Sequence, residues 1–163
     1  MITATPHLQP GEDGRCWRRA ERRIRAVEPR RHCEWAAYHV IAGQMRYLVD
    51  DRVCHAGPRT LLWVDPAHSH MLLSETPDFD MWCFVFADTL RPTGEDAPDL
   101  VSRLSPEPHE ELCQIANNAA GAATATARVR GIAYWGERAW AAALEGESSA
   151  LAHCHPAARR AAE

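Results

Sequence analysis

Two rhythms of apolar and polar positions divide the chain near residue 92. Upstream, short apolar runs are broken by turn residues. Trp35–Ile41 ends at Gly43, and Gln44–Val49 runs into Asp50-Asp51 as a turn. Val53–His55 stops before Gly57-Pro58, and Thr60–Val64 lies between Pro58 and Pro66. His70–Leu73 gives way to the polar turn Ser74–Asp78, and Phe79–Phe86 completes the set. Runs this short, rich in aromatic and β-branched residues, predict a β-sandwich or barrel and leave no room for βαβ units.

Downstream the period changes from two to that of a helix. Residues 92–98 form a loop, and Glu107–Ala120 and Ala125–Leu144 are predicted helices. In the second, Val129, Ile132, Gly136, Ala139 or Trp140, and Ala143 fall on one face. Gly131 and Gly136 weaken that helix locally but allow another backbone to approach closely. The expected organisation is a loose leader (1–14), a β-barrel (15–91), a helical segment (92–150) and a tail (151–163). The fold class is therefore mostly β: a barrel followed by two α-helices.

Composition narrows the function. With 163 residues the chain buries a core without disulfide staples. A net charge of −4 argues against a nucleic-acid binder along its whole length. The Arg-rich stretch from Arg15 to Arg31 is read as a solvated face or edge strand, with Ile24 and Val27 turned inward. No aromatic or Gly interleaving points to RNA or DNA. No signal pattern opens the chain and no apolar run reaches the roughly 20 residues that span a bilayer. A cytoplasmic protein with no membrane partner is expected. The scattered cysteines then read as reduced thiols that fill the core.

Candidate chemistry lies in the β segment. His68 and His70 stand two apart, so on a strand they would share a face, and Glu75 extends them to HxHx4E. The turn at Pro66 puts His68 outside the barrel and leaves His70 within it, while Glu75 falls in a turn facing solvent. Asp78 and Asp80 read as solvated loop residues. His39 shares a strand face with Trp35, Ala37 and Ile41. His109 lies at an exposed helix start. His153-Cys154-His155 would bind metal only adventitiously. Trp35, Tyr38, Tyr47, Trp63 and Trp82 supply aromatic walls, which suit a pocket and a plain core equally. No phosphate loop or nucleophile elbow is present.

The segment His32–Phe86 resembles the N-terminal cupin domain of AraC-type transcription regulators. The likeness runs through HCEWAAYHVIAG, QMRYLVDDRVCHAGPRTLLWVDPAHSH and DMWCFVF. It implies a jelly-roll barrel that binds a small-molecule effector, and helices after it that pair two subunits. It also implies that DNA is read by a helix-turn-helix domain beyond this chain. The stretch 152–161 is similar to the family's connector into that domain. The chain is expected to be either a shortened regulator or a stand-alone sensor. The expected ligand-binding residues are His32, Trp35, His39, Tyr47, His70 and Trp82, with no cofactor required.

The alternative is a metal-dependent cupin enzyme of the dioxygenase or isomerase class, with a divalent transition metal on His68, His70 and a third ligand, His32 or Glu75. His32 fits the histidine position of metal-binding cupins. Ala36 stands where their glutamate would be, however, and Ala67 replaces the usual glycine of the Pro-Gly element. A pure interaction scaffold with a filled barrel is the third reading.

Overall fold

The short apolar runs become two antiparallel sheets in the computed structural model, which describes residues 8–20, 30, 31, 33–92 and 98–148. The strands are β1 (Gly14–Arg19), β2 (Arg30–Arg31), β3 (Trp35–Ala42), β4 (Met45–Val49), β5 (Arg52–Ala56), β6 (Thr60–Val64), β7 (Ser69–Glu75) and β8 (Asp80–Phe86). After a 3-10 turn at Asp88–Leu90 come β9 (Val101–Arg103), α1 (Pro106–Ala120), α2 (Ala125–Glu145) and β10 (Glu147–Ser148). One sheet has the order β1-β8-β3-β6-β9-β10, the other β2-β7-β4-β5. The fold is mostly β, a jelly-roll-like sandwich with two helices after it.

Turn chemistry sets the strand ends. Asp50 sits at φ 50° between β4 and β5, a left-handed conformation that short polar residues tolerate. Gly43, at φ 70°, joins β3 to β4 where a Cβ would meet Thr76 Oγ1 at 2.6 Å and the Phe79 backbone at 2.7 Å. No other residue fits both the angle and the space.

The sheet extends beyond residue 91, where the sequence pattern ends the barrel. β9 pairs with β6 and β10 pairs with β9, so the chain after the loop completes the larger sheet before and after the helices. Among the described residues β1 is an edge strand, paired along β8. Its arginines are tied down within the molecule: Arg15 to Glu12, Arg18 to Asp80 and Arg19 to Glu75. Two expectations are corrected here. Asp80 opens β8 and holds Arg18 with both oxygens, and the Glu75 side chain is buried against Arg19 at 3.0 Å. Both carboxylates face arginines that the edge strand brings to them. Ile24 and Val27 lie outside the described residues.

The helices form a layer on the outer face of the larger sheet. Pro106 opens α1, where its missing N–H is unneeded, and the Thr124 hydroxyl caps α2 by accepting from the Ala127 N–H. Gly131 meets Ala119 and Arg138 pairs with Glu111 at 2.9 Å, so the two helices run antiparallel. A Cβ at Gly131 would lie 2.8 Å from the Ala119 Cβ, which explains a glycine in mid-helix. Among the described residues no helix is long and apolar enough to cross a membrane.

Two cores result. Ala36, Tyr38, Val40, Met45, Tyr47, Leu62, Met81 and Cys83 fill the space between the sheets. Ala37, Leu61, Trp63, Trp82, Phe84 and Phe86 point from the larger sheet to the helices, where Leu112, Ile132, Trp135 and Trp140 meet them. The closest of these ring pairs is Trp135 stacked on Phe84, with ring centroids 3.6 Å apart and planes within 7°.

Candidate functional site

Strand β3 carries polar rings to both cores, because successive side chains point to opposite faces. Tyr38 points between the sheets and His39, the next residue, points to the helices.

Between the sheets, Tyr38 meets Tyr47 from β4 and His70 from β7. The Tyr38 hydroxyl lies 3.2 Å from His70 Nε2, in a hydrogen bond whose donor depends on the imidazole tautomer. The Tyr47 ring stacks on His70 at 5.6 Å and leans on Tyr38 at 5.2 Å. All three are buried. Burial pushes the Tyr47 phenol well above its usual range, and the neighbouring Tyr38 adds to the effect. Three polar rings thus sit in a wall otherwise made of Ala36, Val40, Met45, Val49, Cys54 and Cys83. Such a set offers flat faces and neutral donors and acceptors at one place in an apolar space.

Behind the same strand, His39 Nε2 lies 2.8 Å from Nδ1 of His109, which projects from the first turn of α1. Cys113 stands one turn further on, its Sγ 4.0 Å from His109 Nε2. His39 is fully buried, and burial, followed by the neighbouring His109, holds its pKa down to about 3. His109 is lowered too, by burial first and then by Arg59. Burial raises the Cys113 thiol. Both imidazoles are therefore neutral at physiological pH. The exposed position read for His109 is corrected: the helix docks it half-buried against β3.

Of the residues proposed from sequence to bind a ligand, Tyr47 and His70 come together between the sheets. Trp35, His39 and Trp82 lie on the opposite face. Trp35 packs edge-on against Trp140, carries the Arg91 guanidinium at 4.8 Å, and donates its indole N–H to Asp88. Trp82 belongs to the helix-facing core. His32 lies outside the described residues, as do residues 153–155. The pattern that placed Trp35 and His39 on one face holds, but that face looks outward.

His68 and His70 do not form a ligand pair. His68 precedes β7, and its ring is held in the turn by Asp50 and Asp65, half-exposed. The strand begins at Ser69, so the i, i+2 rule applies to only one of the two histidines. Glu75 is committed to Arg19.

Tyr38 was counted only among the barrel's aromatics. The alternation in WAAYHVI that groups His39 with Trp35 also puts Tyr38 on the other side, and that signal identifies it. A further cleft of about 350 Å3 opens outside the barrel, lined by Arg59, Arg103, Ser105, Pro108, Glu145 and Glu147. It lies between β9, the start of α1 and the end of α2.

No family model and no curated protein matches the chain. Among solved structures, the AraC-like transcriptional activator CuxR is similar, with a TM-score of 0.51 at 17% sequence identity. The match covers 72% of this chain and 45% of that one, so the chain spans under half the length of its structural neighbour. At that identity the likeness is one of fold.

Proposed function

We propose that this chain is the effector-binding and dimerisation module of an AraC-type transcription regulator. Its DNA contacts would be made by a helix-turn-helix domain outside this sequence. The observation that carries the reading is the Tyr38–Tyr47–His70 set, buried together between the sheets of a fold similar to that of an AraC-like activator. A small effector with a flat polar group would enter by displacing these rings and taking over their hydrogen bonds.

The route from ligand to subunit contact is short. Tyr38 and His39 are adjacent on β3, one facing the interior and the other touching α1. A ligand that repacks Tyr38 moves the strand against which α1 is docked. It works by binding one of the two strand–helix arrangements more tightly than the other. The large apolar side chains most exposed on the described surface, Tyr134 and Leu144, both lie on α2, which suits a helix-mediated homodimer. A cytoplasmic location goes with that role. The metal-dependent enzyme reading relied on His68 and His70 sharing a site, and they face different surroundings.

The test combines mass and binding. Light scattering of the purified chain at micromolar concentration should give a dimer, and Tyr134→Glu with Leu144→Glu should give a monomer. A small-molecule screen by thermal shift should find a stabilising compound whose effect is lost in Tyr47→Phe and His70→Asn. A monomeric parent chain overturns the dimerisation half. A compound whose effect survives both interior variants but is lost in Arg103→Ala moves the ligand to the outer cleft.

A further inference from the structure

Three soft or borderline ligands converge on the outer face of the larger sheet, and none belongs to the interior site. His39 comes from the middle of β3. His109 and Cys113 come from α1 at a spacing of four, which puts both on one helix face. One ligand atom from each lies within 4.8 Å of the other two. We propose that His39, His109 and Cys113 form a binding site for one transition-metal ion of the Zn2+ class, which clamps α1 to the barrel.

The chemistry of the set supports an ion there. Two imidazoles and a thiolate are the donors that Zn2+ favours, and three protein ligands leave a fourth position open. Bonds of about 2.0–2.1 Å to nitrogen and 2.3 Å to sulfur put tetrahedral donors roughly 3.3–3.8 Å apart. His109 meets His39 with Nδ1 at 2.8 Å and Cys113 with Nε2 at 4.0 Å. With one atom taken from each residue, the three donors lie within 4.8 Å of one another, so the His109 ring must turn and the donors close in by about 1 Å to reach that range. Ion binding would exchange the His39–His109 hydrogen bond for two metal–nitrogen bonds and release the thiol proton to solvent.

A purely structural role explains the cluster less well. His39 is fully buried among Trp135 and other apolar groups, yet its Nδ1 has no hydrogen-bond partner. An aliphatic or aromatic side chain would fill that position without stranding a polar atom. His109 and Cys113 are partly exposed, which provides an entry path. The charged groups around Cys113 and His109 are of both signs: Arg18, Asp80, Glu110 and Arg59. Arg18 and Asp80 neutralise one another.

The full chain, reduced and stripped of metal, should be titrated with Co2+ and then Zn2+. One Co2+ per chain should bind with a thiolate-to-metal charge-transfer band and visible bands of tetrahedral intensity, and Zn2+ should displace it. Cys113→Ser should abolish the charge-transfer band. His109→Asn should weaken Zn2+ by at least the roughly 10- to 100-fold that loss of a mere outer-shell partner costs. Both sites are partly exposed, and circular dichroism should match the parent. Zn2+ should raise the thermal midpoint of the parent and leave that of Cys113→Ser unchanged. A variant with His153→Ala, Cys154→Ser and His155→Ala should retain the band. Absence of a band at one equivalent, its persistence in Cys113→Ser, or its loss in the tail variant overturns the proposal.

Discussion

The two faces of the larger sheet solve different problems with the same strands. Its inner face is lined with small and aliphatic groups, into which Tyr38 projects to meet Tyr47 and His70. Its outer face carries Trp63, Trp82, Phe84 and Phe86 against Trp135 and Trp140. Large apolar rings go where two layers must be glued. Polar rings gather in the space between the sheets. The tryptophans that resemble a pocket wall in the sequence hold the helices on, and in the proposed function recognition falls to two phenols and an imidazole.

The contrast predicts that stability resides outside and recognition inside. The strongest break of the outer face is Trp135→Ala. It removes the ring stacked on Phe84 and should lower unfolding stability by about 3–5 kcal/mol, read by urea denaturation. Next comes Gly131→Val, which drives a side chain into Ala119 on α1. It should cost about 1–3 kcal/mol and loosen the helix pair before the barrel, a sequence that hydrogen exchange resolves.

Acid should act on the outer face as well. The unfolded chain protonates His39 near pH 6.5, while the folded chain resists protonation down to about pH 3. The unfolded state therefore binds more protons between those values. The stability linked to His39 is complete above pH 6.5 and is lost as pH falls below it. Between pH 7 and pH 5 the urea midpoint should drop by the equivalent of about 1–2 kcal/mol, and His39→Phe should flatten that dependence. The smallest effect belongs to the interior. Tyr47→Phe keeps the ring and removes one hydroxyl, so stability should change by no more than about 1 kcal/mol. Effector binding should nevertheless be lost. A Tyr47→Phe protein as unstable as Trp135→Ala would show that the interior rings are structural and would dissolve the distinction.

Much of the fold was legible because its signals are local. The short apolar runs at 35–41 and 60–64, the glycine at 43 and the aspartates at 50–51 mark strands and turns directly. Apolar spacing in 125–144 marks the second helix. The strands β9 and β10 were not legible: each is three residues or fewer, and only pairing, of β9 with β6 and of β10 with β9, makes them strands. Trp135 was missed because the expected apolar face of α2 was drawn one position to its side. Of the residues expected to line a pocket, Tyr47 and His70 come together between the sheets, while Tyr38, which joins them there, was counted only among the barrel's aromatics.

The sequence by itself determined strands β3 to β8, the two helices, and which residues share a strand face. Those properties follow from periods of 2.0 and 3.6 residues, which any short window contains. Only the tertiary structure decided which face of β3 is inside. That strand is apolar on both sides, and the choice depends on where α1 and α2, some 70 residues later, find their packing surface. The same docking brings His109 and Cys113 to His39, a meeting across 70 positions that no local pattern encodes.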